Sequence, residues 1–471
     1  MLLLAVIYIL ALLAIGVYAR TKADNTPEGY FLANRGFGPL VLFFTLAATN
    51  FSAFTFLGFA GAGYTHGMGQ YGVMALGTAC MALMFYVIGR RVWQLGKTRG
   101  YVTPGELVGG RYGSRGLQLL FTGVMSVFTI PYLAIQAVGA GYILQMLMPS
   151  VSMEVGAIAA IAVICFYVLS GGMRASGWTD VVQGVLMIAA MVAAVAFVGH
   201  ALGGFSQASA AARDVAPALF SRPGPGSYFT VKIWLSFFVL WVFCDPMFPQ
   251  MFTRFYTAKS QRSLRTAMVL YPLLVSFFFL LPVLIGVWAH GTGIDVDTPD
   301  NVLLLMVERY TPPMVFSFVS VGALGALMST ADSQLLSLST MLTADTVGKN
   351  VRVSRMVTVA LSAFAVVFVL FGYDPASGIM GTLVDTTFSG LVVLAPAVLA
   401  TLYWDRATHL GCIASILSGE TLVMLQYVVE LPTGGFLPSV VALLFAAVIL
   451  IAVSMLFPGE NADAARATET R

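Results

Sequence analysis

The chain is a succession of apolar runs of about twenty residues set off by short polar stretches, and that succession leaves little choice of architecture. Thirteen runs can be marked, at 2–18, 38–64, 71–93, 117–147, 153–169, 178–198, 229–252, 267–289, 313–342, 356–371, 379–404, 410–429 and 437–457. Each is near, or somewhat longer than, the roughly 20 residues a helix needs to cross a bilayer. Hydrophobic residues make up 59% of the chain and charged residues only 10%, whereas an ordinary soluble domain has about a quarter charged. The expected fold class is therefore an all-α polytopic membrane protein. The first run lacks a basic leader and a small-x-small cleavage site, so it reads as a retained span.

Loop charge tests that division, because Lys and Arg collect on the cytoplasmic side. With the N-terminus outside, all but Arg213, Arg222, Lys232 and Arg309 fall on alternate, inner loops, Arg254 being counted with the loop after 252. The C-terminal tail, 458–471, is then cytoplasmic, and the protein belongs in the inner (plasma) membrane. The outer stretch TPDNVLLLMVERY, 298–310, reads as a short helix over the outer face. Cys80, Cys165, Cys244 and Cys412 stand apart in apolar segments without metal-ligand spacing, so they read as packing residues.

Two of the runs carry their own interruptions. In TLAATNFSAFTFLGFAG, 45–61, the polar Thr49, Asn50 and Ser52 separate two apolar halves and are poor helix formers at mid-span. An intact helix with hydroxyls bonding back to its own turn is the alternative. In WVFCDPMFPQ, 241–250, Asp245 and two prolines interrupt the run, and proline removes a helical hydrogen bond and clashes with the preceding turn. Unpaired backbone at that depth is tolerated only where it is buried in protein or lines a cavity. Once the N-terminal run is set aside, these are the first and sixth helices, matching positions in two five-helix halves, as in inverted-repeat transporters with a midplane site.

In the run at 313–342, Ala326, Ser329 and Thr330 share one helix face at i, i+3 and i+4. Their two hydroxyls and one carbonyl, with the carbonyls of Ala48 and Phe51 freed by the first break, make five oxygens without a full charge. Such a nest suits a monovalent cation; the alternative is that the hydroxyls pack and bond to neighbouring helices. Asp180, Asp245, Asp332 and Asp385 lie in or at the ends of spans, where a carboxylate costs about 2.5 to 3.5 kcal/mol on insertion scales. Asp332 stands i+3 from Ser329 and could face the same ion; Asp180 could line its inward exit. Asp180 and Asp385 could instead sit near the membrane interface.

The stretches YFLANRGFGP (30–39), SGGMRASGWTD (170–180), PQMFTRFYTAKS (249–260) and ALMSTADSQLLS (326–337) together resemble the sodium:solute symporter family over essentially the whole chain. The resemblance implies the inverted five-helix repeat of the leucine transporter LeuT and sodium-coupled uptake by alternating access. It implies one transmembrane domain over 1–457. That domain comprises an extra N-terminal helix (1–20), repeats over 38–198 and 229–404, and two C-terminal helices (407–457). Na+, as co-transported ion, would lie on the carbonyls of Ala48, Phe51 and Ala326 and the hydroxyls of Ser329 and Thr330. A second sodium, held in some members, would fall on Ser329, Asp332, Ser333 and Asp180; an aspartate at 332 in place of serine leaves that ion open and makes a proton conceivable.

The solute pocket implied is lined by Asn50, Phe54, Gln70, Tyr71, Tyr132, Gln136, Trp241, Asp245 and Phe248. Aromatics flanking a few amides suit a small polar organic solute, such as pantothenate, a monocarboxylate or an amino acid. An ionised Asp245 in the pocket would repel a carboxylate and favour an amine or hydroxyl-rich ligand. Asn50 stands where the sodium/proline members carry an aspartate, which argues against proline. A channel would need a filter motif, a sensor an added domain, and an enzyme clustered His, Cys or carboxylates; His66, His200, His290 and His409 are far apart. The expected partners are solute, sodium and lipid, with no nucleic acid and a monomer as the functional unit. Proton coupling on the same fold is the remaining alternative.

Overall fold

A computed structural model describes residues 2–22, 26–371, 379–429 and 432–458. The expected tail, with Arg466 and Arg471, lies outside the described residues. Fourteen helical pieces carry the spans. They are α1 (Leu2–Lys22), α2 (Pro39–Asn50), α3 (Phe54–His66), α4 (Gly69–Arg99), α5 (Arg115–Leu147), α6 (Met153–Ala201), α7 (Val231–Met247) and α8 (Pro249–Thr257). The rest are α9 (Gln261–Thr292), α10 (Pro313–Val347), α11 (Val351–Phe371), α12 (Val384–Tyr403), α13 (His409–Leu425) and α14 (Pro438–Leu456).

Both expected breaks are present. The α2/α3 pair bends by 63° and the α7/α8 pair by 55°. At the second, Pro249 opens α8, where its missing N–H leaves no bond unmade, and Phe248 ahead of it is extended at φ −60°, ψ 128°. The expected spans at 153–169 and 178–198 are joined without a connector, because α6 is helical throughout except at Gly172, φ 54° and ψ −138°. Glycine adopts that conformation without a Cβ clash. Twelve residues of straight helix would hold Tyr167 and Thr179 about 18 Å apart. Yet both hydroxyls bond the Asp332 carboxylate, so the chain folds back at Gly172.

The expected helix near 298–310 is Val302–Tyr310, but it is not a surface helix: Val302, Leu303, Leu304, Met306 and Val307 are buried. α10 and α12 are the most enclosed of the described spans, α10 running against α5 and α6. Large exposed apolar side chains, among them Leu83, Val127, Phe166, Leu273 and Leu444, lie on the peripheral helices. Such side chains are stable facing lipid, where every helical backbone group is bonded internally. Among the described residues there is no strand, and a parallel bridge joins Phe37 to Ala258, tying the start of α2 to the end of α8.

Candidate functional site

At the first break the backbone changes partners. Phe51 is extended at φ −80°, ψ 108°, and α3 resumes in a widened π turn over Phe54–Gly58. Ser52 N–H turns to Thr55 Oγ1 (3.3 Å), Ala53 N–H to Gln136 Oε1 (2.9 Å) and Phe54 N–H to Ser52 Oγ (3.2 Å). Thr55 N–H bonds Ser52 O (3.0 Å). The carbonyls of Ala48, Thr49 and Phe51 have therefore lost the N–H groups that an unbroken helix would offer them. They face α10 instead: Ser329 Oγ reaches Ala48 O at 2.8 Å and Ala326 O at 2.9 Å. Thr330 Oγ1 lies 3.0 Å from Thr49 O and 3.2 Å from both Phe51 O and Ala326 O.

The five expected oxygens thus converge, with Thr49 O as a sixth. Ser329 and Thr330 are fully buried, and each hydroxyl can donate one proton only. Four carbonyls compete for two protons, which leaves lone pairs that only a further donor or a cation can satisfy.

Directly beside this nest is a cluster the sequence reading did not assemble. Arg254, expected in an inner loop, is fully buried in α8, and its guanidinium pairs with Asp180 Oδ2 at 3.2 Å. It also donates to Ser176 (2.7 Å), Ser333 (2.5 Å) and Thr45 (2.8 Å). Thr45 closes the group by donating to Asp180. Asp332 is saturated by hydroxyls: Tyr167 (2.8 Å) and Thr179 (3.3 Å) on one oxygen, Ser176 and Ser333 (both 2.9 Å) on the other. The guanidinium therefore stands among Asp180, Ser333 and Ser176, the place expected for a second sodium. Asp332 faces Tyr167 and α6 rather than the nest, and Asp180 is paired with Arg254. Ser333 Oγ meets Thr49 Oγ1 at 2.9 Å, which joins cluster to nest.

The second break holds the aromatic part. Trp241 and Asp245 follow at i and i+4 on α7, and Phe248 is the extended residue at the break itself. Phe388, from the π turn Val384–Phe388 that opens α12, stands in the middle. Its ring centroid lies 5.5 Å from Phe54, 5.4 Å from Trp241, 5.2 Å from Phe248 and 5.9 Å from Tyr132. Asp245 is buried and accepts from Asn50 Nδ2 at 3.1 Å; the same amide donates to Tyr271 at 2.5 Å. Ser52 Oγ and Tyr132 OH meet at 2.9 Å.

Asn50, Phe54, Tyr132, Trp241, Asp245 and Phe248 are thus brought together. Gln136 is beside them, but its carbonyl oxygen caps Ala53. Gln70 and Tyr71 are not in the group: Gly77 packs on the Trp241 ring, and they lie about two helical turns from it, at the start of α4. Asp385 is exposed at the start of α12. Phe388, Tyr271 and Arg254 were missed. The signal for Arg254 was a single arginine between buried apolar residues of PQMFTRFYT; Phe388 and Tyr271 carried none, being aromatics in apolar runs.

Comparison with known proteins gives this geometry a context. A family model described as the sodium:solute symporter family matches residues 30–419. The chain is 26% identical to the sodium/pantothenate symporter of Escherichia coli (strain K12), covering 94% of this chain and 93% of that one. It is 26% identical to the high-affinity proline transporter PutP of Bacillus subtilis (strain 168), covering 94% and 97%. Among solved structures it resembles a Na+-coupled sialic acid symporter in a substrate-bound outward-open state, with TM-score 0.80 and 17% identity over 96% of this chain and 97% of the other. Mhp1, a nucleobase-cation-symport-1 family transporter, superposes with TM-score 0.62 and 14% identity over 92% and 97%. With two broken helices facing one another and a family match that spans both, this chain belongs to the sodium:solute symporter family.

Proposed function

We propose that this sodium-coupled symporter of a small solute carries its ion in the oxygen nest between α2 and α10, and its solute between Asp245 and the rings around Phe388. The observation that carries the reading is the set of carbonyls at Ala48, Thr49 and Phe51, released by the first break and turned onto Ser329 and Thr330. Oxygen ligands of this kind suit a hard monovalent cation. An ion held there bridges α2 to α10, so it favours the conformation in which the two lie close. Solute and sodium then raise one another's affinity by the same factor.

One sodium per cycle fits the cluster next door, since the Arg254 guanidinium already supplies a fixed positive charge at the second position. The halves 38–198 and 229–404 act as the two repeats, and rocking between them exposes the site to either side. Orientation follows from charge: Arg35, Lys97, Lys259 and Lys349 line one cleft of about 820 Å³, which we place in the cytoplasm, with the C-terminus on the same side.

The experiment is an uptake screen in proteoliposomes, comparing small carboxylates, amino acids, amines and sugars with and without an inward sodium gradient. Accumulation of one class only with the gradient supports the reading. Accumulation driven equally well by a proton gradient in potassium medium would replace it with proton coupling.

A further inference from the structure

We infer that the solute carries a positive charge, as a small amine or quaternary ammonium whose cationic group is held by Asp245 and the rings of Phe54, Trp241, Phe248 and Tyr132, in the place Phe388 fills here. The inference rests on this being the solute site of the symporter, and adds the charge of the cargo.

Asp245, unlike the buried Asp180, Asp332 and Asp345, has almost no partners; among the described residues Glu420 in α13 has none either, but it lies outside the broken helices and their rings. Asp180 has a guanidinium and a hydroxyl; Asp332 has four hydroxyls; Asp345 takes Thr103, Thr122 and Gln118 at 2.6 to 2.7 Å. Asp245 has one amide donor on Oδ2, and no donor among the described residues reaches Oδ1. It takes part in no ion pair among the described residues. A carboxylate can accept about four hydrogen bonds, and a buried one without a cation is left largely uncompensated.

Its neighbours along α7 and at the break, Trp241 and Phe248, are rings. Phe54, Trp241, Phe248 and Tyr132 all pack edge-on or tilted against Phe388 within 6 Å. Withdrawal of Phe388 leaves a cage of aromatic faces, whose negative quadrupoles attract a desolvated cation. Phe388 lies at the end of a π turn, a distortion often found at functional sites, where a small change of helical register moves the ring.

Most polar groups nearby are already used, the Trp241 indole N–H and the Thr387 hydroxyl being left over, and this weighs against the alternatives. Tyr132 OH is bonded to Ser52, Gln136 Oε1 to the Ala53 backbone, and the Asn50 amide to Asp245 and Tyr271. A hydroxyl-rich solute would find an acceptor in Asp245 and donors in the Trp241 indole and the Thr387 hydroxyl, and would bury its remaining hydroxyls among rings without partners. A carboxylate would bring a second negative charge against Asp245 with no cation on the cage to receive it. A cation needs only the one carboxylate and the rings.

The test is thermal unfolding of the detergent-purified protein in sodium and in potassium, with choline and tetramethylammonium as cationic probes, propionate and pantothenate as anions and glucose as a neutral solute. Stabilisation by a cationic probe, stronger in sodium, is expected. Asp245→Asn should weaken that response at least tenfold, and Phe54→Leu, which leaves the carboxylate untouched, several-fold. Should propionate, pantothenate or glucose stabilise in sodium with undiminished effect in Asp245→Asn, or should neither cationic probe bind, the inference is overturned while the symporter reading stands. If a solute stabilises equally in sodium and potassium, it is the symporter reading of this site that fails.

Discussion

The two broken helices interrupt the membrane at matching places and do opposite chemistry. At the α2/α3 break the interruption comes from Thr49, Asn50 and Ser52, and every freed N–H is recaptured by a neutral side chain or a turn. What remains is a surplus of carbonyls, and a surplus of carbonyls attracts a metal cation. At the α7/α8 break the interruption comes from prolines, which contribute no N–H, and the chemistry is carried by full charges on either side. Asp245 lies just before the break and Arg254 five residues beyond Pro249. A break by itself therefore says only that a site is present. Whether that site presents partial or full charge depends on how the backbone was interrupted and on what α5, α6 and α10 bring to it.

The full-charge side of that contrast should be the more fragile. Arg254→Gln leaves Asp180 and Asp332 buried without a cation, and removing one member of a buried pair costs about 3 to 5 kcal/mol. A large fall in folded yield and in thermal unfolding temperature in detergent is the expected result, largely recovered by adding Asp180→Asn. Wild-type uptake should also depend hyperbolically on sodium concentration. A sigmoidal dependence would place a second sodium near the cluster despite the guanidinium.

On the partial-charge side the expected loss is smaller. Gln136→Ala strands the Ala53 N–H, a penalty of about 1 to 3 kcal/mol. Gln136→Glu, which keeps an acceptor at that place, should recover most of the unfolding temperature. If both variants instead leave stability untouched and alter only solute selectivity, Gln136 is a solute ligand after all and the cap at Ala53 is incidental.

Much of the partial-charge side was legible in the sequence, and little of the full-charge side. The break at Thr49–Ser52 shows as polar residues in mid-span, and Ala326, Ser329 and Thr330 show as one helix face, because both are local patterns. Arg254 was hidden by the very rule that made the topology readable. Assigning basic residues to inner loops has no way to recognise an arginine whose partner, Asp180, lies far off in sequence on α6. Phe388 and Tyr271 were hidden differently, since an aromatic residue in an apolar run gives no sign of whether it meets lipid or a cage. Gln136 was seen, but its bond to the backbone was not: an amide near a pocket can bind solute or cap a backbone, and the distance to Ala53 N reveals the cap. Gly172 was read as part of a connector because one glycine can reverse a chain that otherwise stays helical.

The central claim is that coupling runs through the carbonyl nest, and its most direct test is solute affinity measured against sodium concentration in Ser329→Ala/Thr330→Ala and wild-type protein, side by side in detergent. Removing both hydroxyls leaves carbonyls alone, too few to replace the water around a sodium ion, while the α10 backbone bonds are retained. The wild type should bind solute more tightly as sodium rises, and the folded double variant should bind it with one weak affinity that sodium does not change. An unchanged sodium dependence in the double variant would contradict the account and move the coupling ion to the Asp180, Asp332 and Arg254 cluster.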